Sequence, residues 1–301
     1  MMHTKASRIL MIRPIRFGHN EQTAGSNSFQ KKEEGESYAA IQENALSEFD
    51  NMTSLLIRTG IDVMIFEDTA EPHTPDSVFP NNWISFHGNE LVLYSMLAEN
   101  RRRERRDDII HEFKKQNTTI IDLSRFEARK MYLEGTGSIV FDYANKIAYA
   151  NLSPRTDKLM FEQLSRQLDF SPVSFKAVDQ NGSGIYHTNV MMCIGQGFAV
   201  VCSESIADPE ERAAIERSLK ETGHEIIRID YSQMNSFAGN MYQLYNFKGE
   251  SFILMSKNAF GSLQAEQVEQ LGQYGTLLHC QLDTIEKYGG GSARCMIAEI
   301  R

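Results

Sequence analysis

The sequence predicts an α/β fold: a five-bladed α/β propeller of ββαβ repeats with pseudo-fivefold symmetry. Three observations carry this reading. An order of strand, strand, amphipathic helix and strand recurs, and the first strands start near positions 82, 137, 188, 241 and 295, at spacings of 55, 51, 53 and 54 residues. Regularity of that size marks repeated architecture. The apolar segment that starts at Cys295 has no continuation, while the chain opens with the apolar run Arg8-Ile9-Leu10-Met11-Ile12, which supplies the missing second strand. Five units then close into a ring through pairing of the N- and C-terminal strands, which removes most sheet edges. Residues 1–301 are read as a single domain of this kind.

The elements follow in chain order. After the opening strand, a helix near residues 37–59 leads to a strand at 62–66. Unit two has strands at 82–86 and 90–94, a helix over about 101–116 and a strand at 119–121. Unit three has strands at 137–141 and 146–149, a helix near 155–168 and a strand at 173–175. Unit four has strands at 188–192 and 198–202, a helix over about 209–222 and a strand at 225–229. Asp208 caps that helix and Pro209 suits its first turn, where no N–H is needed. Unit five has strands at 241–245 and 251–255, a helix near 264–271 and a strand at 276–279. The fifth first strand, at Cys295, belongs to the first unit.

Composition narrows the function. The chain carries 31 Lys and Arg against 40 Asp and Glu, a net charge of -9. That argues against nucleic acid as a partner, because phosphate binding needs a basic surface. No apolar run approaches the roughly 18 residues of a membrane span. Arg8, Arg13 and Arg16 interrupt the first apolar stretch, so Met1-Met2-His3-Thr4-Lys5 does not open a secretory leader, and a cytoplasmic protein is expected. The cysteines, at 193, 202, 280 and 295, lack CxxC spacing, so neither a zinc site nor a disulfide framework is expected. Cys193, Cys202 and Cys280 lie in apolar strand segments and read as small buried hydrophobes.

Cys295 is different. It follows Gly289-Gly290-Gly291-Ser292-Ala293-Arg294 and is placed to begin a strand. Glycines leave room for a ligand against the backbone, and a thiol there, with Arg294 beside it, is placed like a nucleophile. In the ring, the starts of the first strands converge on the axis. Asp76 to Asn82, Glu134 to Gly137, His187, Gly239-Asn240 and Cys295 thereby meet although far apart in sequence. Asp76, in Pro75-Asp76-Ser77-Val78-Phe79-Pro80-Asn81-Asn82-Trp83, either caps a turn or bonds a cationic group, with Phe79 or Trp83 lining the pocket. Glu134, between Leu133 and Gly135, is either a solvated loop carboxylate or a partly buried acid that needs a partner. His187 follows the glycine-containing approach 181–184; a lone histidine is usually structural, but this one stands in the repeat register. The polar stretch 17–36 leaves the strand that pairs beside Cys295 and reads as a loop or an active-site lid. The run Arg101 to Arg106 reads as a solvated helix start, with one arginine available for a substrate carboxylate.

Taken together, Asp-x-x-Phe-Pro at 76–80, Glu-Gly-x-Gly at 134–137, His-x-Asn at 187–189 and Gly-Gly-x-x-x-Cys at 290–295 stand in order and in register with the repeat. With these motifs the chain resembles the guanidino-group-modifying superfamily of arginine deiminase, dimethylarginine dimethylaminohydrolase and glycine amidinotransferase, over nearly its whole length, and is most similar to citrulline-utilization hydrolase-like members. The resemblance implies the pentein form of the propeller, Cys295 as nucleophile, Glu134 and His187 as the acid/base pair, and Asp76 bonding guanidinium or ureido nitrogens. Phe79, Asn82, Trp83 and Asn240 complete the expected substrate site. Two departures matter. Deiminases of the family usually carry Arg-Asp after Phe-Pro, where this chain has Asn81-Asn82, and the second acid often found in the cysteine loop is absent. An amide at 82 cannot hold a cationic guanidinium as a carboxylate would, which favours a neutral ureido substrate or hydrolysis carried past citrulline. The expected activity is hydrolysis of a C–N bond through a covalent Cys295 intermediate, with His187 held protonated by Glu134 and neither metal nor organic cofactor. The expected partner is a small guanidino or ureido molecule, with homo-oligomerisation open. The alternatives are amidino transfer by the same thiol and a non-catalytic binding protein on the same ring.

Overall fold

The computed structural model describes residues 6–31, 35–114 and 118–301. Met1 to Lys5, discussed above as a possible leader, and the predicted helix end at residues 115–116 lie outside the described residues, as do residues 32–34 of the 17–36 stretch. Five three-stranded sheets are present. The first joins β1 (Arg8–Arg13), β2 (Asp62–Glu67) and β15 (Ala298–Ile300); the second β3 (Ile84–His87), β4 (Glu90–Leu93) and β5 (Thr119–Asp122). The third joins β6 (Val140–Asp142), β7 (Ile147–Asn151) and β8 (Ser171–Phe175); the fourth β9 (Met192–Gly195), β10 (Phe198–Val201) and β11 (Glu225–Arg228). The fifth joins β12 (Tyr242–Tyr245), β13 (Ser251–Ser256) and β14 (Thr276–Cys280). In every sheet the inner strand pairs antiparallel with the middle strand, which pairs parallel with the outer one. The helix between middle and outer strands provides the crossover that a parallel pair requires. The ring closes as expected: Arg8, Ile9 and Leu10 pair antiparallel with Ile300, Glu299 and Ala298.

Each blade buries its sheet against its own helix. Ile41, Ala45, Phe49, Met52 and Leu56, spaced along one face of Tyr38–Arg58, pack with Ile9 and Met11 of β1. Ser37 caps that helix by accepting from the Ala40 amide, and Asp208 caps Pro209–Glu221 by accepting from Glu210 and Glu211. Middle strands are apolar on both faces, because one faces helices and the other faces neighbouring blades; Phe198, Ala199, Val200 and Val201 are all buried. Among the described residues no helix is long and apolar enough to cross a membrane.

Two expectations are corrected. The predicted helix at 101–116 is two pieces, Glu99–Arg102 and Asp107–Lys114, because Arg101 turns inward to bond Glu104 and the loop carbonyls of Asp76 and Phe79. The inner strands also start later than predicted. At 80–82, 135–138, 188–191 and 293–296 the chain makes a single helical turn before the strand begins. Cys295 therefore sits in a turn and not at the head of a strand. Packed at the hub, these turns fill the space where five strand ends would crowd.

Candidate active site

The hub turns position the candidate residues. Glu134 stands at the start of Gly135–Ser138, His187 at the start of Thr188–Met191, and Cys295 inside Ala293–Met296. Gly135 adopts φ +51°, and a Cβ there would lie 2.0 Å from the Asn81 carbonyl oxygen. At Gly137 a Cβ would lie 2.5 Å from Asn82 Nδ2 and 2.7 Å from His187 Nδ1. These glycines let three blades approach each other closely enough to share one site.

Cys295, His187, Asp76, Phe79 and Asn82 line a common hollow with Arg101, Arg155, Tyr186 and Gly289 to Gly291. Its free space is about 10 Å³, room for about one water. Glu134, fully buried, lies behind His187 with Oε2 2.9 Å from Nε2. Its Oε1 accepts from the Leu97 amide at 3.0 Å, and Arg155 Nη1 donates to Oε2 at 3.4 Å. Burial alone would raise the Glu134 pKa, but Arg155, the His187 hydrogen bond and Arg101 pull it down to about 2. An ionised carboxylate only accepts, so His187 Nε2 carries the hydrogen and Nδ1 is the free base. Burial pushes His187 down to about 4, outweighing the attraction of Glu134. This runs against the expectation that Glu134 keeps the imidazole protonated: burial, with Arg155 and Arg101 adding to it, favours the neutral ring.

The thiol is held by amides. Asn189 Nδ2 lies 3.4 Å and Asn240 Nδ2 3.3 Å from Cys295 Sγ. Asn240 is fixed by the Arg294 amide, which donates to its Oδ1 at 3.0 Å, and by the Asn189 carbonyl. Asn240 thus supports the sulfur and does not line the hollow. Asp76 is buried; its Oδ2 accepts from Asn20 Nδ2 at 2.7 Å and from Thr23 at 3.4 Å, with Arg101 Nε at 3.7 Å. Its Oδ1 has no partner, nor do Asn82 Nδ2 or either amide atom of Asn81. Burial raises the Asp76 pKa against the opposing pull of Arg101, Asn20 and Arg155. Asn82 Oδ1 accepts from Arg101 Nη1 at 2.7 Å.

Trp83 does not line the hollow. It closes the turn at 80–82 and is buried in an apolar cluster with Leu10 and Ile12 of the first blade and Phe86. Arg294 also turns away, its guanidinium 4.1 Å from the Tyr242 ring centre on the far side of the hub. Arg101, Arg155, Tyr186 and Asn189 escaped sequence reasoning as site residues. A signal existed for Arg155: it closely follows the middle strand β7, whose exit reaches the same face as the inner-strand turns. Residues 20–30 lie across this face. Arg155 donates to Ser26 Oγ at 2.6 Å and the Thr23 carbonyl at 3.2 Å, Asn27 Nδ2 to the Gly289 carbonyl at 3.3 Å, and Gln30 Nε2 to the Tyr288 carbonyl at 2.8 Å.

A family model described as N,N dimethylarginine dimethylhydrolase, eukaryotic, matches residues 13–301. The chain belongs to this family. Membership places it in the guanidino-group-modifying superfamily. A sequence search of curated proteins finds no match. In fold the chain is similar to apo ArgZ, an arginine dihydrolase from the ornithine-ammonia cycle in cyanobacteria, with TM-score 0.78 and 20% identity over 98% of this chain and 40% of that one. It is similar to the product-bound N-terminal domain of ArgZ, with TM-score 0.78 and 20% identity over 99% of this chain and 98% of the domain. A DDAH mutant from Pseudomonas aeruginosa complexed with citrulline gives TM-score 0.67 and 14% identity over 99% and 100% of the two chains. The chain therefore spans about two fifths of full-length ArgZ and nearly all of its N-terminal domain.

Proposed function

We propose that this family member hydrolyses the C–N bond of a guanidino or ureido group on an arginine- or citrulline-like amino acid, through a covalent bond to Cys295. The observation that carries the reading is that Cys295 and His187 line one hollow together with a carboxylate oxygen of Asp76 that has no protein donor. The free Oδ1 of Asp76 accepts a substrate N–H. Asn82 Nδ2, a donor without a partner, suits the carbonyl oxygen of a ureido group, whereas a guanidinium offers donors only. This favours a citrulline-like substrate or step. Arg155 supplies the cation nearest the covering segment for the substrate carboxylate.

The chemistry follows from a neutral His187. Its Nδ1 takes the thiol proton as Sγ attacks the central carbon, and a tetrahedral adduct forms. The imidazolium, held by Glu134, returns that proton to the departing nitrogen, which leaves as ammonia or an amine. Neutral again, His187 takes a proton from water as the water attacks the same carbon; the C–S bond breaks and the thiol is restored. The donors Asn189 and Asn240 stabilise the negative charge that develops on Sγ as its proton leaves. Residues 17–36 serve as the lid, since an amino acid cannot enter space for one water unless the covering segment moves.

The test is release of ammonia or amine from arginine, methylated arginines and citrulline. Cys295→Ala and His187→Ala are each expected to lower turnover by at least about 10²-fold, the smaller end of what a general acid/base contributes. Wild-type turnover by both variants on a substrate the native enzyme accepts would refute the reading.

A further inference from the structure

The inner strands have a second end, and a separate cavity of about 360 Å³ opens there. This lies within the size range of small-molecule sites, about 300–1,000 Å³. It is lined by β6, β9 and β12 with Glu299 of β15, across the hub from the front hollow, and Asn189, whose Nδ2 lies 3.4 Å from Cys295 Sγ, reaches its wall. Cys295 stands between the two spaces. Its neighbour Arg294 sends its guanidinium into the rear cavity.

The charges in this cavity are matched except one. Glu299 accepts from Ser7 at 2.9 Å, from the Tyr242 hydroxyl at 2.7 Å, and from Arg301. Asp142 accepts from the Asn145 amide at 3.1 Å and its side chain at 2.8 Å. Arg294 is half-buried, and only its Nη1 is engaged, donating to the Ile297 carbonyl at 2.9 Å. Its Nε and Nη2 face no protein acceptor, and no carboxylate lies within ion-pair distance of it among the described residues. A guanidinium held over a tyrosine ring, with Nε and Nη2 unfilled, can take a carboxylate by two parallel hydrogen bonds. Phe141, Met192 and Ile194 add apolar surface to the lining. Cys193 also lines it, but burial pushes its thiol up to about 12, so it offers no nucleophile.

We propose that this rear cavity is a second binding site, for a small organic carboxylate with a flat apolar body, its carboxylate on Arg294. A cationic ligand has no unmatched acid to meet, and a neutral one leaves Arg294 unpaired. The inference is independent of the reaction proposed for the front hollow.

Benzoate is the probe, titrated into the full chain by calorimetry, with benzamide as its neutral isostere. Saturable binding at one site per chain is expected, with Kd on the millimolar scale or tighter. Arg294→Gln should weaken it at least about tenfold, the loss of one charged hydrogen-bonded contact. Ala144→Trp, at an exposed hairpin position on the cavity rim, should do the same by plugging the mouth. Benzamide should bind at least about tenfold more weakly. Arg155→Gln and protein alkylated at Cys295 should bind benzoate as the wild type does, since both changes lie in the front hollow. The proposal is overturned if the wild type shows no saturable binding at about 10 mM, if either rear variant with a wild-type melting curve binds benzoate unchanged, or if binding is lost with the front changes.

Discussion

His187 decides how the site responds to acid. Its folded pKa of about 4 lies below the ordinary histidine value of 6.5, so between those values the unfolded chain takes up a proton that the folded chain refuses. Stability therefore falls as pH drops from about 6.5 to 4, by something on the order of 3 kcal/mol. Glu134, held at about 2, adds a further loss below pH 4.5. In urea melts at pH 7, 5.5 and 4.5, His187→Gln should flatten the first part of this slope; an unchanged slope would show that the imidazole titrates normally. Gly137→Ala is a second residue-scale prediction. Its methyl would meet Asn82 and His187 at 2.5 and 2.7 Å, so it should cost about 1–3 kcal/mol in melts and at least about 10²-fold in kcat. Wild-type kcat would show that the imidazole position tolerates a shift. At this scale the register of the repeat located Cys295, His187, Glu134 and Asp76, because alignment with strand starts is visible in the sequence. Arg101 was illegible: inside Arg101-Arg102-Arg103-Glu104-Arg105-Arg106 it looks solvated, and only the fold shows Glu104 buried beside it at 2.9 Å. Glu104 is itself raised to about 7 by that burial. Trp83 read as a pocket residue because it adjoins the Asp76 loop, whereas at the end of the 80–82 turn its ring packs into the core with Leu10 and Ile12.

Among elements, the strands and long helices were legible and the hub turns were not. A single turn of four residues is too short to show a 3.6-residue period, and Thr188-Asn189-Val190-Met191 reads equally well as a strand. These turns matter most for chemistry, since they carry the thiol and abut the acid and the imidazole. The covering segment 20–30 was visible as a polar, glycine-containing stretch, but its contacts were not. Those contacts are mostly polar, among them Asn20 to Asp76, Arg155 to Ser26 and Asn27 to Gly289, with Phe29 packed on Tyr186 and Phe237. Such a segment opens at lower free energy than the blades. Amide hydrogen exchange should show residues 20–30 exchanging well before β10, and a bound active-site ligand should protect them. Asn27→Ala should speed their exchange and raise KM more than it lowers kcat. Exchange as slow as that of β10 would show that the segment does not open.

For the whole molecule, closure of the ring connects stability with the site. Leu10 pairs with Ala298, three residues beyond Cys295, so the strand that staples the ring also anchors the turn bearing the thiol. Ala298→Pro removes a ladder donor and should lower stability by about 3 kcal/mol or more, with activity falling in parallel; full activity in a destabilised variant would separate closure from the site. The fivefold plan was the most legible feature of all, because it repeats, whereas the closed state of the hollow depends on side chains from four blades and one loop. The central claim is that the Cys295 sulfur, served by His187, carries the reacting carbon. It is tested most directly by mass spectrometry of the intact protein and its peptides, quenched during turnover of an accepted substrate. The account predicts a transient adduct on Cys295, absent from Cys295→Ala and accumulating differently in His187→Ala. Turnover with an unmodified Cys295, or an adduct on Cys193, Cys202 or Cys280 instead, would contradict it.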